Sequence, residues 1–229
     1  MFNNIYEEFD ATPDEVSEIA NENPNMKGLM KGYVAEKKLK SSLKSTNKIF
    51  AISKIDDHDK KKGDLKFIYK NYIHTSEAKS LVSRSVQVYD VHDEKWIWKK
   101  IKREENPKYK EYLNNFEDKY KLKYKGVVKC GASDKRKITL PNGNSLETSS
   151  LLIGEFDILA ISLYEFSNTW KFVYCLNEDL ERVTDKKYRE EDRIYLLKTC
   201  FKITWPIKPP FVEDIDILLD KIQKDSNDK

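Results

Sequence analysis

The sequence predicts a mixed α/β (α+β) domain, a central mixed sheet flanked by helices. Three observations predict it. Gly63-Asp64-Leu65-Lys66-Phe67-Ile68-Tyr69 and Tyr72-Ile73-His74-Thr75-Ser76-Glu77-Ala78-Lys79 are β-branched and aromatic stretches parted by Lys70-Asn71, the pattern of a strand hairpin. Apolar residues recur at helical spacing in Leu29, Met30, Tyr33, Val34, Leu39 and Leu43, and again in Ile215, Leu218, Leu219 and Ile222. Residues 158–163 and 170–176 are short apolar runs suited to core strands. At 229 residues, 39% hydrophobic and 12% aromatic, the chain can bury a proper core, and one domain over residues 1–229 is expected.

Along the chain, Thr12-Pro13-Asp14-Glu15 is a helix start. Thr12 caps, Pro13 suits the first turn and Glu15 can close a capping box. Asn23-Pro24-Asn25 breaks that helix and a second follows, so that residues of about 13–45 form an N-terminal helical pair whose second member carries Glu36. Residues 49–55 read as a strand, 56–62 as a polar loop holding His58, and 64–79 as the hairpin. A lone histidine between aspartates, with no second histidine or cysteine nearby, fits a solvated loop better than a metal site. In residues 80–90, Val82, Val86 and Val88 alternate imperfectly with Ser83, Ser85 and Gln87.

Residues 107–120 predict a helix opened by Pro107, with Tyr109, Leu113, Phe116 and Tyr120 on one face. A strand at 126–130, a polar turn at 131–136 and a hairpin about Pro141-Asn142-Gly143-Asn144 follow, because Asn-Gly accepts the positive φ of a tight turn. Residues 188–200 predict a helix, 204–211 an extended proline-held crossing, and 213–222 a last amphipathic helix.

No run approaches the ~18 to 20 apolar residues of a membrane span, and the start lacks the basic and apolar segments of a secretory signal. A cytoplasmic protein with no membrane partner is expected. Cys130, Cys175 and Cys200 are far apart and odd in number, so neither a disulfide framework nor a zinc site is indicated. Net charge is only +3, but residues 95–125 hold eleven basic residues against five acidic ones, interleaved with Trp96, Trp98 and five further rings. Lys99, Lys100, Lys102 and Arg103 there are candidates for phosphate contacts, the alternative being an ordinary solvated helix face.

The hairpin carries the chemistry. Side chains alternate along a strand, so Glu77 and Lys79 share a face, and Asp64 at the start of the neighbouring strand can meet them across the ladder. Two close carboxylates call for a divalent cation, and a lysine beside it can hold a phosphate oxygen. The tripeptide alone decides nothing, since Glu36-x-Lys38, Asp59-x-Lys61, Asp93-x-Lys95 and Asp185-x-Lys187 match the same pattern without an acid-bearing strand ahead of them.

Asp64, a spacer, then Glu77-Ala78-Lys79 resembles the signature of the PD-(D/E)XK nucleases, and the flanking Asp57-His58-Asp59, Lys62-Gly63-Asp64 and Lys79-Ser80-Leu81 resemble type II restriction endonucleases. Ala132-Ser133-Asp134-x-Arg136, Leu140-Pro141-x-Gly143, Glu147-Thr148, Gly154-Glu155-Phe156-Asp157-x-Leu159-Ala160 and Trp170-x-Phe172 are similar to downstream blocks of that group; the resemblance spans roughly residues 30–211. Gly63 departs from the proline common before the first acid.

The resemblance implies a PD-(D/E)XK core and a Mg²⁺-dependent endodeoxyribonuclease cutting double-stranded DNA at a short palindromic site. Asp64, Glu77 and the Ala78 backbone carbonyl would bind the metal, with Glu36 as a further acid or, alternatively, a surface partner of Lys40. Lys79 would activate water and steady the phosphate. Mn²⁺ would substitute, and Ca²⁺ would support binding without cleavage. DNA contacts are expected from Lys62, Ser83, Arg84, Gln87 and the basic stretch, and from Ser133, Asp134, Lys135, Arg136, Asn142 and Asn144 on a recognition hairpin at about 126–148. Cutting both strands of a palindrome implies a homodimer, and restriction implies a methyltransferase as genetic partner. Two alternatives stay open: a repair or structure-specific nuclease, and a non-catalytic nucleic-acid-binding protein.

Overall fold

The structure is a computed structural model, and it describes residues 4, 6, 9–55, 63–90, 94–99 and 123–227. The loop with His58 and Lys62, the stretch with Lys100, Lys102 and Arg103, and the helix expected at 107–120 lie outside the described residues.

Helix α1 (Pro13–Glu22) begins as its sequence dictates: Thr12 Oγ1 accepts the Glu15 N–H at 3.2 Å, and Glu15 Oε2 accepts the Thr12 N–H at 2.7 Å. Pro24 then opens α2 (Pro24–Lys44), which buries Ala35, Leu39 and Leu43. Behind α2 lies a five-stranded mixed sheet. Its strands are β1 (Ile49–Lys54), β2 (Leu65–Tyr69), β3 (Tyr72–Ser80), β9 (Ile158–Ser162) and β10 (Phe172–Leu176), in the order β1-β2-β3-β9-β10. All neighbours are antiparallel except β3 and β9. The β2–β3 turn is Lys70-Asn71 with φ of 45° and 72°, the paired left-handed geometry a two-residue hairpin needs.

A second, antiparallel sheet has the order β11-β6-β4-β5, from β4 (Gln87–Asp90), β5 (Lys95–Trp98), β6 (Tyr124–Lys129) and β11 (Cys200–Trp205). Alternate residues of β9 divide the core between the layers. Ile158 and Ala160 pack with Leu39, Leu43, Leu218 and Leu219 of the helices, whereas Leu159 and Ile161 pack with Val88, Val128, Phe201 and Ile203 of the second sheet. Among the described residues the long helices α2 and α5 (Ile215–Asn227) pack on one face of the five-stranded sheet and the strands of the second sheet pack on the other, a mixed α/β architecture with a central mixed sheet.

Two expectations are corrected. The polar turn at 131–136 is instead part of β7 (Gly131–Thr139), paired with β8 (Ser145–Ser150), with an irregularity between Gly131 and Arg136. The helix at 188–200 shrinks to α4 (Glu190–Arg193), because Leu196 and Leu197 are drawn into isolated bridges with Leu152 and Arg182 and are fully buried there. A short helix α3 (Tyr164–Ser167) joins β9 to β10. Among the described residues no helix is long and apolar enough to cross a membrane.

Candidate active site

β3 changes partners at Ser76. Its pairing with β2 runs from Tyr72↔Tyr69 to Ser76↔Leu65, and its parallel pairing with β9 runs from Ser76↔Ile158 to Ser80↔Ser162. Among the described residues, no strand pairs with the β2-facing edge of β3 beyond Ser76. Asp64 fills that edge: its N–H donates to the Ser76 carbonyl at 2.8 Å and its Oδ2 accepts the Ala78 N–H at 2.7 Å. N–H and C=O of one strand residue share an edge, so the Ala78 carbonyl belongs to the Asp64 side. On the other side of β3, Asp157 does comparable structural work, accepting the Thr75 N–H at 2.7 Å.

Gly63 stands at φ +123°, and a Cβ there would lie 3.1 Å from the Ser76 carbonyl oxygen. Proline is fixed near φ −65°, so this approach to Asp64 is closed to it.

Glu77 and Lys79 pair in register with Leu159 and Ile161, so both side chains project toward the second sheet. They form a direct ion pair, with side chains only 12% and 25% exposed. Burial pushes the Glu77 carboxyl above its ordinary range; Lys79 draws it down, while Asp64 and Glu155 add to the rise. Lys79 is held above the usual lysine value: burial opposes this, but attraction and hydrogen bonding to Glu77, with Asp64 behind it, prevail. Cys130, buried on the same face, is pushed up to about 12 by burial.

Glu36 enters from α2, which packs on β1 and β3. Burial and the Asp64 charge raise its carboxyl, against the pull of Lys54 and Lys79. Its partner is Lys54, at 3.3 Å, not Lys40. Lys54 follows an irregularity of β1 between Phe50 and Ser53, where Ala51 has φ +48°; such bulges re-aim side chains, and here Lys54 also lies 4.8 Å over the Tyr33 ring. Lys54 and Glu155 were not foreseen from the sequence. The only available signal for Lys54 was strand register, since it pairs with Leu65 beside Asp64.

Asp64 and Glu77 offer oxygen donors of the hard type that divalent cations such as Mg²⁺ take. The Asp64 carboxylate lies at the Ala78 edge of β3, and the buried Glu77 carboxylate is near enough to be repelled by it. Among the described residues no three His, Cys, Asp or Glu side chains converge on one point.

The expected DNA-facing residues fare unevenly. Ser83 and Arg84 are exposed on a 3₁₀ turn, Gln87 is half-buried in β4, and Asp134 and Lys135 are exposed on β7; of Ser133, only its backbone place in β7 is described. Lys99 is no open phosphate contact: it is 7% exposed and donates to the Glu165 carbonyl at 2.6 Å. Arg136 is no free base reader, because its guanidinium is engaged with Glu155, whose Oε2 also accepts the Leu152 N–H at 2.8 Å. Asn142 and Asn144 both donate to Asp192 Oδ1, at 2.9 and 2.8 Å. Of the basic aromatic stretch, Lys125 lies 4.3 Å over the Trp96 ring and Lys123 5.5 Å over that of Tyr89, so these cations pack on rings of their own sheet.

Compared with models of known protein families, with curated proteins and with solved structures, the chain has no match in any of the three.

Proposed function

We propose that the chain is a Mg²⁺-dependent nuclease with a PD-(D/E)XK-like core, and in its finer form a type II restriction endodeoxyribonuclease. One observation carries the reading: Asp64, Glu77 and Lys79 meet where β3 leaves β2, with the acid of α2 beside them. The mixed sheet behind an acid-bearing helix supports the core. The words restriction and DNA rest on the resemblance of the residue pattern.

In this reading Asp64, Glu77 and the Ala78 carbonyl hold the cation, which when bound supplies Lewis acidity toward a phosphoryl oxygen. Lys79 is held protonated by Glu77 and places its ammonium against the developing phosphate charge. Burial between the two sheets lowers the local dielectric and strengthens that attraction. Asp64, fixed by Ala78, cannot swing away.

A repair or structure-specific nuclease gains support from one observation, the engagement of Arg136, Asn142 and Asn144 within the protein, which leaves fewer side chains to read bases. Incubating a fully sequenced plasmid with purified protein and Mg²⁺, then sequencing the fragment ends, tests both. Discrete ends at one short sequence favour restriction and scattered or structure-dependent ends favour repair. An intact plasmid, together with uncut flap and gapped duplexes, overturns the nuclease reading.

A further inference from the structure

Two cavities line the face of α2 that leads away from the acids. One, of about 700 Å³, is walled by Gly28, Gly32, Tyr33, Glu36 and Lys79. The other, of about 410 Å³, is walled by Lys27, Lys31, Ser83, Arg84, Lys99 and Glu165. Both include Pro24 and Gly28, so they form one cleft running from Lys79 to Arg84.

Charge in the cleft is one-sided. The outer end holds Lys27, Lys31 and Arg84, with Lys99 buried against the Glu165 carbonyl, and the single carboxylate of Glu165 is paired with Lys31. Arg84 is exposed and makes no hydrogen bond or ion pair among the described residues. The inner end closes on the Glu36 and Lys79 of the candidate site. The middle is bare backbone: Gly28, Gly32 and Glu36 follow one another at four-residue intervals on one helical stripe, and a Cβ at either glycine would meet no atom within 4 Å.

We infer that this cleft is the track of the strand being cut, binding the phosphodiester backbone on one side of the reacting phosphate; the inference rests on the nuclease reading. A small anion would satisfy one end alone, whereas a polyanion can reach from the cations of the outer end across the bare middle to Lys79. Gly28 to Glu36 covers about 12 Å of helix, long enough to lie along more than one phosphate of a DNA strand. The open glycines let that backbone approach the helix closely, and Arg84 fixes a phosphate at the far end.

The test measures binding of a fluorescein-labelled mixed-sequence DNA duplex, in Ca²⁺, across a KCl series. Arg84→Ala is expected to reduce the log-log salt slope by about one unit. Gly32→Leu fills only open space in the free protein and improves helix propensity, so its thermal midpoint should rise by roughly 2–4 °C while binding weakens by about tenfold or more. A more stable protein that binds less is not the mark of a merely structural position. If wild type binds and cuts while Gly32→Leu binds equally well and Arg84→Ala keeps the full slope, the track is overturned and the nuclease reading stands. A wild type that neither binds nor cuts overturns both.

Discussion

Asp64 prolongs the ladder of β3 past the end of β2, its Oδ2 taking the Ala78 N–H at 2.7 Å in the place a strand carbonyl would occupy. One carboxylate therefore serves architecture and proposed chemistry together. Asp64→Asn can keep an accepting oxygen on Ala78 yet loses the charge, whereas Asp64→Ala leaves the N–H without a partner. Both should abolish Mg²⁺-dependent cutting. In urea denaturation only the alanine variant should lose about 1–3 kcal/mol; equal stability loss in both would contradict the division of roles.

Glu77 and Lys79 should be coupled strongly, being paired and mostly buried. Lys79→Met strands the Glu77 charge and should cost about 3–5 kcal/mol, while the double variant Glu77→Gln/Lys79→Met should cost clearly less than the sum of the two single changes. Either single change should lower cleavage by several orders of magnitude while leaving DNA binding largely intact.

The raised Glu77 carboxyl gives a signed pH dependence. Its folded form holds the proton more tightly than the unfolded chain does. The group's contribution is most favourable below the unfolded value of about 4.3, and declines as pH rises from there to the elevated folded value. Metal-free wild type should accordingly lose stability relative to Glu77→Gln across that window and then run parallel to it. Added Ca²⁺ at neutral pH should raise the midpoint of wild type and not that of Glu77→Gln.

Helix starts and tight turns were legible because they are local. Thr12 with Glu15, Lys70-Asn71 and Asn142-Gly143 each dictate their backbone within four residues. The hairpin meeting of Asp64 with the end of β3 was legible for the same reason. What escaped was decided at long range. Residues 131–136 look like a turn until β8 pairs with them, and residues 188–200 look helical until Leu196 and Leu197 find bridges elsewhere. The Arg136–Glu155 pair spans 19 positions and joins a hairpin to the loop before β9, and no pattern in either segment announces it. The same pair withdraws the arginine that local reasoning had assigned to DNA.

That pair should prove structural. Arg136→Gln leaves a buried Glu155 and Glu155→Gln a half-buried guanidinium, each expected to cost about 3–5 kcal/mol, with the double change costing less than their sum. Thermal or urea melts of the three proteins decide it. Melts within experimental error of wild type would return Arg136 to the list of base readers.

Cysteine reactivity should be uneven. Burial holds Cys130 and Cys175 up to about 12, whereas Cys200 is exposed. A chromogenic disulfide reagent should titrate one thiol in the native protein and all three in denaturant. Rapid native reaction at Cys130 would mean that the space beside Lys79 is open to solvent.

The junction at Ser76 also has a consequence for synthesis. Thr75 and Asp157, which clasp β3 to β9, are 82 positions apart, and the parallel ladder is complete only at Ser162. The hairpin with its acids and lysine leaves the ribosome early, but the strand that seats its far half arrives much later, and parallel pairings over such separations form slowly. Until then the half of β3 that carries Glu77 and Lys79 lacks its parallel partner strand. A chain that stalls or is clipped before β9 would hold Asp64, Glu77 and Lys79 without the strand that seats them, so the proposed hydrolytic centre would form only after β9 has been made.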